Sequence, residues 1–234
     1  MSLVLAFNLE DYAILATDKR GFLHYGTNKK NIVLSVNDNY QKVRKIPFGF
    51  FASAGDYLIT ECFYAECITT TSRKRNLEEI LKDTYDRYCS LKGIYHFSEA
   101  TNILLIAKGY NSHGNFEKDA FLQIMIDFER IEIQEIKPMN LVALMANMNP
   151  DKSFWDKIGN SLYSSKDFIH FEDFFHYHMN LIKSIWQEQL KFDNQISHHI
   201  DFYFHDRRMG KGVLLCAKNL EAIPLKLQQL LTRD

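Results

Sequence analysis

Two short runs, ILLIA (103–107) and VLLCA (213–217), are apolar at every position. Successive side chains of a strand point to opposite faces, so a strand with one face in water alternates apolar and polar residues. Uninterrupted runs of this length predict strands buried on both faces, which requires sheets that are covered on each side. The opening of the chain reads the same way. LVLAFN (3–8) and YAILAT (12–17) are two strands joined through the polar connection LEDY.

Further strands are expected at NIVLSV (31–36) and at KVRKI (42–46), which alternates and is ended by Pro47. FGFFASA (48–54), TNILLIAKG (101–109), FLQIMIDF (121–128), RIEIQEI (130–136), HIDFYFHD (199–206) and KGVLLCAK (211–218) complete the set. MGKG (209–212) reads as the turn between the last two. The period changes after Asp56, a good N-cap, where Leu58, Cys62 and Ala65 fit a helix. A second helix carries Leu77, Ile80, Leu81, Tyr85 and Tyr88, with Asn76 and Glu79 as its capping pair. Pro150 and Asp151 start a shorter helix around SFWDKI, and a long helix runs from about Phe171 to Leu190.

The order is strands, two helices, strands, two helices, strands. Paired helices do not suit a doubly wound parallel sheet. They predict an α+β fold, a four-layer αββα sandwich in which two stacked antiparallel sheets are flanked by helix pairs. With 234 residues and no Pro-rich or Gly/Ser-rich linker, one domain over 1–234 is expected.

The net charge of -1 argues against a nucleic-acid partner bound through a broad basic face. Arg73, Lys74 and Arg75 read as a solvated loop between two helices. The cysteines, Cys62, Cys67, Cys89 and Cys216, have neither CxxC nor zinc spacing and read as buried free thiols. The start lacks a basic segment followed by an apolar one, and no apolar window reaches 18 residues. A cytoplasmic protein without a membrane partner is the expectation. His176 and His178 stand two apart on a helix, and His198 and His199 alternate on a strand, so these histidines, with His205, do not read as a metal site. Trp155 and Trp186 read as core or interface residues.

Three segments carry a resemblance. The first is SLVLAFNLEDYAILATDKR (2–20), in which Ser2 precedes an apolar strand, a tight turn, a second strand and Asp18. The second is QKVRKI (41–46) with Lys42, and the third is FASAGDYL (51–58) with Gly55. Together they resemble proteasome-type N-terminal-nucleophile hydrolases: proteasome β subunits, the HslV peptidase and the bacterial homologue Anbu. The αββα sandwich is that family's fold. The resemblance implies that Ser2 is the nucleophile, that Asp18 orients Lys42, and that the Gly55 N–H helps to bind an oxyanion. In FDNQISHHIDFYF, Asp193 matches the carboxylate before the last strand pair. The family's serine three residues later is replaced by Ile196, with Ser197 one position on. The family's Gly-Ser-Gly turn is not visible in ALMANMNP (143–150), and the connection from Asp18 to Lys42 is several residues longer than in the family.

The chemistry asks for few groups. A serine hydroxyl needs a base, and the α-amine of the same residue supplies one when Met1 is removed, since its ordinary pKa is about 8. A cation at Lys42 favours the alkoxide and the neutral amine. No metal or organic cofactor is required. The resemblance implies a peptide or unfolded protein substrate and a homo-oligomeric ring, and it leaves open whether an ATPase is a partner. Each residue also has a plain structural role open to it: Ser2 as an ordinary second residue, Asp18 as a strand-end turn residue, Lys42 as a solvent-facing strand residue, Asp193 as a helix C-terminal cap. Two further functions stand beside a serine peptidase: an inert ring or scaffold subunit, and a small-molecule amidase.

Overall fold

In a computed structural model of the chain, β1 (Leu3–Leu9) and β2 (Tyr12–Asp18) form the expected hairpin. The structure describes residues 3–25, 32–69, 75–92, 100–107, 119–127, 130–145, 151–193 and 195–231. The remaining elements are β3 (Gly21–Tyr25), β4 (Ile32–Asn37), β5 (Arg44–Ile46), β6 (Gly49–Ala54), α1 (Tyr57–Thr69), α2 (Leu77–Lys92), β7 (Thr101–Ala107), β8 (Ala120–Ile126), β9 (Ile131–Glu135), β10 (Asn140–Met145), α3 (Lys152–Gly159), α4 (Phe171–Phe192), β11 (Ile200–Asp206), β12 (Lys211–Ala217) and α5 (Ala222–Leu231). The fold is mixed α+β with two five-stranded antiparallel sheets and a two-stranded ribbon, β3–β4. It divides into two compact units, one of residues up to Val43 together with those from Ile136 on, the other of Arg44–Glu135.

The first unit holds the sheet ordered β10-β1-β2-β11-β12. Leu3, Leu5 and Phe7 of β1, with Ile14 of β2 and Phe202 of β11, point to the face packed by Phe174, Ile182 and Trp186 of α4 and Ile223 of α5. Each such buried side chain contributes about 1.5–3 kcal/mol relative to exposure. Val4, Ala6, Ala13 and Leu15 point the other way and are buried as completely. The period-2 argument thus holds for this hairpin, whose two strands have no face in water.

The second unit holds β5-β6-β7-β8-β9, with α1 and α2 packed on one face. Phe51 meets Phe63 of α1 edge to face at 5.1 Å, and Ile80 and Tyr88 of α2 join Ile103 and Leu105 of β7. Leu104 and Ile106, on the opposite face of β7, are also buried, as the run ILLIA requires. The Asn76–Glu79 pair closes a capping box: the Glu79 N–H donates to Asn76 Oδ1 at 2.8 Å and the Asn76 N–H to Glu79 Oε2 at 3.2 Å. Asn76→Ala is expected to lower stability by about 1 kcal/mol, read as a shift of the urea midpoint with unchanged slope.

Several sequence expectations are corrected. VLLCA is not buried throughout: β12 is an outer strand, so Leu215 and Ala217 are buried while Cys216 is exposed. Cys62 and Cys67 are buried, but Cys89 is only half-buried, and all four cysteines are free. The strand expected from Lys42 begins at Arg44. His198 and His199 precede β11 instead of alternating within it. Arg75 is not a solvated loop residue, because it pairs with Glu66 at 3.1 Å and with Asp83. Arg73 and Lys74 lie outside the described residues. Among the described residues β3, β10, α5 and a short 3-10 helix, Ser165–Asp167, went unread. Pro224 obscured α5, yet it sits in the first turn, where the helix has no acceptor for its missing N–H. Among the described residues no helix is long and apolar enough to cross a membrane.

Candidate active site

β2 ends at Asp18, and the antiparallel register brings that residue beside the start of β1 and the start of β11, where it pairs with Ile200. Its carboxylate is fully buried and receives donors on both oxygens. Oδ1 accepts the Lys42 ammonium at 2.6 Å and the Leu3 N–H at 2.8 Å. Oδ2 accepts the Arg20 N–H at 3.0 Å and the Ser197 N–H at 3.4 Å. A buried carboxylate requires this kind of saturation, because an unpaired one bears a desolvation penalty of several kcal/mol.

Lys42 is 3% exposed. Burial pushes its ammonium below the ordinary lysine value, while the Asp18 carboxylate pulls the other way. The plain alternative of a solvent-facing strand lysine therefore fails, and the ion pair with Asp18 that the resemblance implies is formed. The longer connection between them is accommodated by the ribbon β3–β4. The segment after β4 returns to the end of β2 through several contacts. Arg20 grips Asp38 with Nε at 2.5 Å and Nη2 at 3.1 Å, and these bonds hold the Asp38 carboxyl below the usual carboxylate range. The Tyr40 N–H donates to Lys19 O at 3.0 Å, and His199 Nδ1 lies 3.2 Å from Asp38 O.

Ser197 is buried, with its N–H directed at Asp18 and its Oγ accepting the His199 N–H at 2.9 Å. The contact to Asp18 is made by the Ser197 main chain, whereas the hydroxyl faces the His199 N–H. Asp193 is the C-cap residue of α4, and its Oδ1 accepts the Gln195 N–H at 2.9 Å, inside the turn that leads to Ser197. Its described role is that of the cap. Ser2 lies outside the described residues, as do residues 146–150, which include most of the segment where a Gly-Ser-Gly turn was sought.

Gly55 belongs to the second unit, between β6 and α1. Its φ of 125° is a conformation that side chains rarely adopt, and a Cβ there would stand 2.6 Å from Thr101 Cα and 2.7 Å from Ala100 O. Asp56 then starts α1, with its Oδ1 accepting the Leu58 N–H at 2.8 Å, as the N-cap reading expects.

Asp201 was missed. It is fully buried on β11, its Oδ2 accepts the Lys42 N–H at 2.9 Å, and its Oδ1 lies 3.5 Å from Lys19 Nζ. The signal was present in HIDFYFHD, where Asp201 stands between Ile200 and Phe202 inside a strand read as buried on both faces. Among the described residues no cluster of three or more His, Cys, Asp or Glu side chains is placed to hold a metal ion. His178 is buried against Phe174, with Nδ1 2.9 Å from Phe174 O, and burial lowers its pKa. Comparison with protein-family models and with curated protein sequences gave no match.

Proposed function

We propose that the chain is a proteasome-like N-terminal serine peptidase that cleaves peptide bonds through an acyl-enzyme and works in a homo-oligomeric ring. One observation carries this reading. The buried Lys42 ammonium and the N–H of Leu3, the residue bonded to Ser2, share a single oxygen of Asp18, at 2.6 and 2.8 Å. A cation held at the foot of the first strand, one residue from a serine, is what an N-terminal nucleophile needs. The four-layer αββα arrangement belongs to the same proposal. It is supported by two antiparallel five-stranded sheets, each with helices packed on one face and buried residues on the other.

In this mechanism Met1 is removed and the Ser2 α-amine takes the hydroxyl proton as Oγ attacks the peptide carbonyl. The Lys42 charge favours both the developing alkoxide and the neutral amine. The ammonium so formed returns the proton to the leaving amine. Water then attacks the ester, losing its proton to the same amine, and Ser2 is released. The competing reading is an inert subunit of the same fold, favoured by the lack of Gly-Ser-Gly in residues 143–150 and by Ile196 at the family's serine position.

The test is treatment of the untagged protein with a β-lactone, followed by intact and peptide mass measurement. The expected result is loss of Met1 and a single adduct on Ser2 that is absent in Ser2→Ala. An unmodified protein, under conditions that acylate a control N-terminal hydrolase, rejects the peptidase and leaves the inert subunit.

A further inference from the structure

Two different carboxylates grip Lys42, and only Asp18 was expected from the motif. We propose that Asp201 is a positioning residue: it fixes the main chain of Lys42 so that the ammonium is delivered to Asp18. The functional meaning of this role rests on the peptidase reading, but the contact stands on geometry of its own.

Lys42 lies ahead of β5 and has no ladder partner for its amide, although the residue is buried. A buried N–H must find an acceptor, and Asp201 Oδ2 provides it at 2.9 Å. Asp201 in turn is held in place. It stands opposite Thr17 on β2 and Cys216 on β12, and its Oδ1 accepts the Cys216 S–H at 3.0 Å. Thr17 is the residue before Asp18, so the two carboxylates occupy neighbouring register positions on adjacent strands. One acts on the ammonium of Lys42 and the other on its amide. The bond ties a segment with no strand neighbour to the sheet that holds β2 and β11.

A simpler role for Asp201 is to neutralise Lys19, 3.5 Å away. The two roles separate by substitution. Asp201→Asn keeps an oxygen for the Lys42 N–H but loses the charge facing Lys19, whereas Asp201→Ala loses both. The readouts are the exchange rate of the Lys42 amide, by nuclear magnetic resonance, and the rate of Lys42 Nζ acetylation by acetic anhydride, by peptide mass. Neither needs activity.

In Asp201→Ala both rates are expected to rise about tenfold to a hundredfold, and in Asp201→Asn to stay within about threefold of the parent protein. Cys216→Ala, which leaves the Lys42 bond intact, should match the parent. Folded Asp201→Ala with parental rates overturns the proposal, as does an increase in Asp201→Asn as large as in Asp201→Ala. If Asp201→Ala does not fold, the parent protein still decides: a Lys42 amide that exchanges as fast as an exposed one overturns the contact. β-Lactone capture keeps the two readings apart. A protected Lys42 amide with no adduct on Ser2 rejects the peptidase while the contact stands. When Ser2 is captured, the capture rate falls about tenfold in Asp201→Ala and recovers in Asp201→Asn.

Discussion

Lys42→Met is expected to lower stability by about 3 kcal/mol, a fall of about 6–12 °C in Tm for a chain of this size. Methionine keeps an unbranched apolar side chain as long as the lysine stem up to Cε and lacks the ammonium. Asp18 is then left fully buried without its cation. Breaking a buried pair from one side costs about 3–5 kcal/mol. The lower end applies because the N–H groups of Leu3, Arg20 and Ser197 continue to satisfy the carboxylate. Adding Asp18→Asn to Lys42→Met should therefore cost less than Asp18→Asn alone, and a double-mutant cycle on the urea midpoints measures the difference. If the two effects add, the pair is not coupled and the description of the site fails. On the peptidase reading, Lys42→Met also slows β-lactone capture at Ser2 by about 10²–10⁴-fold, the range for loss of a group that governs proton transfer. A variant that retains its fold and captures at the parental rate removes Lys42 from the mechanism.

Gly55→Ala has the second large effect, and its cause is steric. A φ of 125° is unfavourable for any side chain, and the new methyl would sit 2.6 Å from Thr101 Cα and 2.7 Å from Ala100 O. Both are backbone atoms at the start of β7, so no rotamer change relieves the contact. β6 pairs with β7 from Gly49 to Ala54, and the clash lies at the end of that ladder. The cost is expected to be about 3 kcal/mol or more. Gly159→Ala is the control, since nothing lies within 4 Å of its added Cβ. Equal urea midpoints for the two variants would show that Gly55 is free to relax.

The distribution of what could be read from sequence follows from the range of each interaction. β1, β2, β7 and both helices of the second unit were legible because periodicity and capping act between residues a few positions apart. β12 was misread on burial because an apolar run reports a buried strand in general, and its place at the edge of the sheet is decided by strand order. The short β3 and the Pro-containing α5 fell below any local signal. At the site, Asp18 and Lys42 were named as a pair only through a resemblance, since their spacing of 24 residues has no meaning within one element.

The sequence by itself determined most of the strands and the helices α1 to α4, and that β1, β2 and β7 lack a face for water, because backbone period and side-chain polarity are local properties. Tertiary structure alone decided which charges meet. Asp201 lies 159 residues from Lys42, and only the antiparallel pairing of β11 with β2 brings it to the lysine's amide. The ion pair is buried for the same reason: the segment holding Lys42 is drawn to the ends of β2 and β11 by contacts with Arg20, Lys19, His199 and Asp201. Such contacts depend on strand order and register, which no local stretch of sequence specifies.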